Sequence, residues 1–84
     1  MKLKVTLEDG SSGSYQITPK IEVDFEKYVG GGFAKTLRDQ EMQSHVYYLA
    51  WLCLRAAGQV VKPFENGFLD TLSLVELELD DPNG

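Results

Sequence analysis

Three consecutive glycines, Gly30, Gly31 and Gly32, divide this chain into two stretches with different periodicities. No regular element runs through them, because glycine loses more backbone freedom on ordering than any other residue. Ahead of them apolar residues recur at every second position. Leu3, Val5 and Leu7 alternate with Lys2, Lys4, Thr6 and Glu8, and Tyr15 and Ile17 alternate within residues 14–18. That is the period of half-buried strands. Asp9, Gly10, Ser11, Ser12 and Gly13 carry turn chemistry, so residues 1–18 are read as a β-hairpin with a loop longer than two residues. Behind the glycines the period becomes helical over residues 33–57. Phe33 and Leu37 sit four apart, and Asp39 can cap a longer helix with Met42, Val46, Leu49, Ala50, Cys53 and Ala57 on one face. Gly58 suits the residue after the helix, with Arg55 in its last turn to match the dipole. The expected class is α+β: an N-terminal hairpin packed on a small helical unit with one long central helix.

Two segments fit more than one pattern. Ile21, Val23 and Phe25 alternate like a strand, whereas Ile21, Phe25, Tyr28 and Val29 share a helix face. We favour a short extended segment followed by a turn of helix. Pro63 stops the central helix, and a short helix over residues 64–75 would carry Phe68, Leu69 and Leu72. Val75, Leu77 and Leu79 alternate with Glu76, Glu78 and Asp80, as in a short C-terminal strand, yet Phe68, Leu72, Val75 and Leu79 also fit a helix face. If the segment is a strand, Glu76 and Glu78 suit a neighbour carrying Lys2 and Lys4, at ~0.2–1 kcal/mol per cross-strand pair. Residues 80–84 read as a flexible acidic end.

At 84 residues this is one small domain, and one cysteine excludes an internal disulfide. A core of this size commonly needs a further stabiliser, so a partner or a homo-oligomer is the first to look for. A net charge of −5 with eight scattered basic residues argues against nucleic acid. The N-terminus lacks the apolar stretch of a signal peptide, and the longest apolar run, residues 46–54, is about half of the ~20 residues a membrane span requires. The expectation is a soluble intracellular protein.

Chemistry is sparse. His45 and Cys53 lie eight residues apart on the predicted helix, ~12 Å along its axis, too far for a nucleophile and its base. Neither is expected to be catalytic, and no cofactor or metal site is read from the chain. Glu76, Glu78, Asp80 and Asp81 lack EF-hand spacing and read as a solvated face. The triple glycine lacks the Gly-Lys-Ser/Thr ending of a phosphate loop. What stands out is the second face of the central helix. Roughly opposite the core stripe lie Ser44, Tyr48, Trp51, Leu52 and Arg55, where a surface helix would be polar. Tyr, Trp and Arg are enriched at interface cores, so Tyr48, Trp51, Leu52 and Arg55 are the candidate partner-binding residues. The competing reading places this helix between the sheet and residues 64–72, with Trp51 covered from within.

These same residues carry a resemblance. The order VTLEDG, VDFEKY, a glycine-bearing turn, FAKTL, HVYYLAWLCLRAAGQ and FENGFLDTLSLVELE, with an acidic end, is similar to the short tail assembly chaperones of long-tailed bacteriophages. The most specific part is Leu49, Ala50, Trp51 and Leu52, then Leu54, Arg55 and Gly58, then Phe68, Leu69 and Asp70. The glycine run at 30–32 is richer than the family pattern. The resemblance implies a non-enzymatic protein of the host cytoplasm. Such a protein would keep the tape measure protein soluble, help recruit tail tube subunits, and be absent from the mature virion. It also implies a longer frameshifted form starting near residues 76–84. The rival readings are a head–tail connector or tail component, a β-grasp carrier suggested by a hairpin followed by a helix, and an enzyme.

Overall fold

The computed structural model describes residues 1–33, 35 and 43–78. The fold is α+β, a three-stranded antiparallel sheet with helices packed on one face. Strand β1 (Lys2–Leu7) is central, flanked by β2 (Ser12–Gln16) and β3 (Leu72–Glu78), giving the order β2-β1-β3. Leu3 and Val5 point to the helices and are buried, while Lys2 and Lys4 face outward. The β1–β2 loop closes through Leu7 N–H donating to Ser11 O at 2.9 Å and Gly10 N–H to Leu7 O at 3.0 Å. Asp9 Oδ1 accepts from the Ser11 backbone N–H at 2.8 Å and from its hydroxyl at 2.6 Å. Those bonds, the hydroxyl's first, hold the Asp9 carboxyl below the usual carboxylate range.

The C-terminal segment resolves in favour of the strand. Lys2 lies opposite Glu78 and Lys4 opposite Glu76, while Leu3 faces Leu77 and Val5 faces Val75. The expected helix over residues 64–75 forms only as far as Thr71, and with a break inside it. Phe64–Phe68 is a wide helical turn broken at Asn66 and at Gly67 (φ 110°), and Leu69–Thr71 is a single helical turn. Leu72 then turns extended (φ −95°, ψ 133°) and pairs with Leu7 after a register shift. The physical reason is that the extended form pairs the backbone of this segment with the second edge of β1, which a helix there would leave without a strand partner.

Residues 21–29 go the other way. They belong to an unbroken helix α1 (Pro19–Val29), not to an extended segment with one helical turn. Thr18 is its N-cap, with Oγ1 accepting from Ile21 N–H at 3.3 Å, and Pro19 occupies the first turn, where its missing N–H is harmless. Ile21 and Phe25 are buried, whereas Val23, at 49% exposure, is the member of the alternating set that faces water. Gly30 ends the helix with φ 76° and donates its N–H to Glu26 O at 2.8 Å. Thr18→Ala is expected to cost about 0.5–2 kcal/mol, read as a lowered urea midpoint with an unchanged slope.

The central helix α2 (Gln43–Ala56) buries Leu49, Ala50, Leu52, Cys53 and Leu54. It ends in paired hydrogen bonds around Gly58 (φ 85°): Gly58 N–H to Arg55 O at 3.0 Å and Gln59 N–H to Leu54 O at 3.1 Å. The core stripe read from the sequence needs correction at two positions. Val46 is only half-buried and Ala57 is exposed beyond the helix end, because α2 stops at Ala56. Leu37, Asp39, Met42, Leu79 and the acidic end at 80–84 lie outside the described residues. The sheet covers one side of α2 and α1 another, while residues 64–68 pack along a third. Phe33 closes the top of this core, its ring edge-on to Phe25 at 5.5 Å and its N–H donating to Glu26 Oε2 at 2.7 Å.

Candidate functional site

α1 and α2 present a run of rings that crosses from one helix to the other. Tyr28 stacks on Tyr48 with centroids 3.7 Å apart and planes 8° from parallel. Tyr48 leans on Trp51 at 5.4 Å, and the Arg55 guanidinium lies 4.6 Å from the Trp51 ring centre. Phe64 underlies the run, edge-on to Tyr48 at 5.0 Å and to Trp51 at 6.3 Å. Such ring pairs contribute about 0.5–1.5 kcal/mol each beyond the area they bury, and a cation over indole about 0.5–1 kcal/mol at an exposed site. Burial pushes the Tyr48 phenol above its ordinary value, reinforced by Tyr28 and Asp24 and opposed by Arg55.

Of the four residues read as a partner surface, Tyr48, Trp51 and Arg55 come together in this strip. Leu52 does not join them. It is 9% exposed and turns towards α1, lining with Ile21 a cleft of ≈ 340 Å³ whose rim carries Lys20, Asp24 and Arg55. The helix is thus enclosed on more sides than a two-faced reading allows. Trp51 is half-buried: its indole N–H donates to Lys62 O at 2.8 Å, which pins the segment after α2 against the ring. The competing reading, with the helix between the sheet and residues 64–72, therefore describes the underside of Trp51, and the open strip describes its outer edge. Tyr28, at 42% exposure, extends the strip and is a site residue beyond the four read from the sequence. The signal for it was the Ile21, Phe25, Tyr28 spacing, which carries weight once Thr18 and Pro19 are recognised as a helix start.

No protein-family model, curated protein or solved structure matches the chain.

His45 and Cys53 are not brought together. His45 packs its ring edge-on to Phe25 at 6.3 Å and to Tyr28 at 6.4 Å, at the inner end of the aromatic run. Cys53 is 1% exposed, and burial pushes its thiol up to about 12. A thiol so held stays protonated at neutral pH and is shielded from reagents in solution. Among the described residues no group of three or more His, Cys, Asp and Glu side chains is arranged to hold a metal ion. No helix among them is long and apolar enough to cross a membrane.

The Cys53 shift has a consequence for stability. Folding raises the thiol's pKa from 9.0, so the native state is favoured fully below pH 9 and progressively less as the pH rises towards about 12. Wild type should lose about 1.4 kcal/mol per pH unit in that window beyond whatever Cys53→Ala loses. Paired urea titrations from about pH 8 to about pH 11 measure this, with the loss starting near pH 9. Cys53 should also react with a thiol reagent only in urea, and rapid reaction in buffer would contradict its burial.

Proposed function

We propose that this chain is a non-enzymatic assembly chaperone of the tail assembly kind found in long-tailed bacteriophages. On this reading it works in the host cytoplasm, covers apolar helical segments of the tape measure protein, assists recruitment of tail tube subunits and leaves before the virion matures. The observation that carries the reading is the half-open strip of Tyr28, Tyr48 and Trp51 with Arg55 at its end, on a chain of net charge −5. A client helix laid along the strip would bury the ring edges. Arg55 would meet its carboxylates or terminal carbonyls at the rim, and the surplus negative charge would keep the complex dispersed. The resemblance of residues 49–58 and 68–70 to that family points to the same client.

A head–tail connector or a resident tail component would use the same strip for a permanent contact. Mass spectrometry of purified particles distinguishes these, since a chaperone is missing from them. The carrier reading requires strands after a single helix. Here helical segments at 19–29, 43–56 and 64–71 precede one strand among the described residues, and that strand runs antiparallel to β1.

Co-expression with a tape measure fragment tests the proposal at Tyr28, which is the most open ring of the strip. Tyr28→Ser should leave the helical circular dichroism intact and reduce the soluble yield of the fragment severalfold. An unchanged yield would remove the strip from client binding.

A further inference from the structure

The sheet ends on one side at β3, and among the described residues no backbone group pairs with its outer edge. We propose that this edge takes up an extended segment of a partner protein, one in which lysine or arginine alternates with apolar residues, as an antiparallel fourth strand. The site is separate from the aromatic strip and does not depend on it.

Open edges are normally guarded by lysine, proline, bulges or short length. The other edge, β2, is five residues long and runs directly into Thr18 and Pro19. β3 is seven residues long and contains neither lysine nor proline, and its register shift falls at the Leu72 end, leaving residues 74–78 regular. Its carboxylates do not guard it either. Glu78 Oε1 accepts from Ser14 Oγ at 3.0 Å, so that side chain reaches across β1 to the far strand, away from the open edge. Glu76 is exposed and makes no hydrogen bond or ion pair among the described residues. Beside it on the outward face stands Leu74, 51% exposed. On the inner face Leu72, Val75 and Leu77 are only half-buried, a row of apolar side chains along the rim of the core.

The chemistry of the occupant can be read from the opposite edge of the same strand. There β1 sets Lys2 against Glu78 and Lys4 against Glu76 outside, with Leu3 against Leu77 and Val5 against Val75 inside. A segment of the same alternation would repeat those pairings in mirror position. It would extend the apolar row, place a cation beside Glu76 and be drawn in by the net charge of −5. A second copy fits less well. Antiparallel β3–β3 registers centred on Glu76 or Leu77 bring Glu side chains face to face, and the two chains repel at range.

The test uses the whole chain and a fluorescent peptide of about eight residues alternating lysine with valine, long enough to match one strand. Anisotropy at low salt should show saturable binding that weakens with added salt. Glu76→Gln should weaken binding severalfold, and Leu74→Lys, which adds a guard at an exposed position, by roughly tenfold. A peptide N-methylated at alternate amides should fail to bind, and amide exchange should slow along β3 in the complex. Tyr28→Ser should bind the peptide normally, which separates this site from the chaperone strip. The proposal is overturned by absence of saturable binding, or by equal binding of the N-methylated peptide, which would mean charge attraction alone. Binding lost in Tyr28→Ser but kept in Leu74→Lys would also overturn it. So would a dimer in sedimentation that Leu74→Lys dissociates and the peptide cannot.

Discussion

Leu49→Ala is expected to lower the free energy of unfolding by about 2–5 kcal/mol. Leu49 is completely buried midway along α2, beside Ala50 and one turn before Cys53, where sheet, α1 and the 64–68 turn converge. Truncation removes the transfer free energy of three carbons and leaves a cavity that close-packed neighbours cannot refill. The loss matters because domains of this size have a total stability of about 5–10 kcal/mol. The variant should unfold at a much lower urea concentration with the same slope, and part of it should be unfolded at physiological temperature. A loss under about 1 kcal/mol would mean that this face of α2 does not meet the core.

Trp51→Ser should produce two separable effects. One is on the fold: the indole N–H bond to Lys62 O and the ring contacts to Phe64 and Tyr48 disappear, which releases the segment after α2 and costs about 1–3 kcal/mol. The other is on association: an aromatic anchor at the centre of a contact typically accounts for about 2 kcal/mol or more, a thirtyfold loss of affinity. Trp51→Phe keeps the ring and removes the donor, so it should recover most of the association and only part of the stability. Arg55→Ala removes the cation above the ring without touching the hydrogen bond. It should affect association more than melting temperature. Thermal melts alongside co-expression with a tape measure fragment provide both readouts. A folded Trp51→Ser protein that still solubilises the fragment would sink the role of the strip.

The parts of this structure legible in the sequence are those where one periodicity acts alone. The hairpin is one: Leu3, Val5 and Leu7 alternate with polar residues without a break, and the turn cluster at residues 9–13 follows directly. The pairing of Lys2 and Lys4 with Glu78 and Glu76 was legible as a conditional, since opposite charges at matching spacing identify neighbours once both segments are strands. Residues 21–29 are ambiguous because Ile21 and Phe25 fit either period, and Val23 completes the alternation although it faces water in the helix. The deciding information sits outside them, in Thr18 as cap and Pro19 at the helix start. Leu52 was misplaced for a different reason. A helical wheel sorts residues into two faces, but α2 is enclosed by three neighbouring elements, so Leu52 and Leu54 are buried although neither belongs to the stripe through Leu49 and Cys53. Tyr28 joined the site through its stacking on Tyr48, a contact between two helices that no local pattern encodes.

The central position of β1 also dictates an order of events during synthesis. The hairpin closes over a few residues, but the β1–β3 pairing joins Lys2 to Glu78 across about 75 residues, an additional closure entropy of roughly 2 kcal/mol over the hairpin. A nascent chain still on the ribosome can therefore form the hairpin and α1 while one edge of its central strand remains vacant. That edge carries the alternating Lys2, Leu3, Lys4 and Val5 pattern that β3 later satisfies. Until β3 emerges, the growing polypeptide exposes a template for intermolecular pairing, and a product interrupted before residue 72 would retain it. Folding of this small domain should accordingly be slow for its length, limited by its most distant contact, and its incomplete forms should be the ones that aggregate.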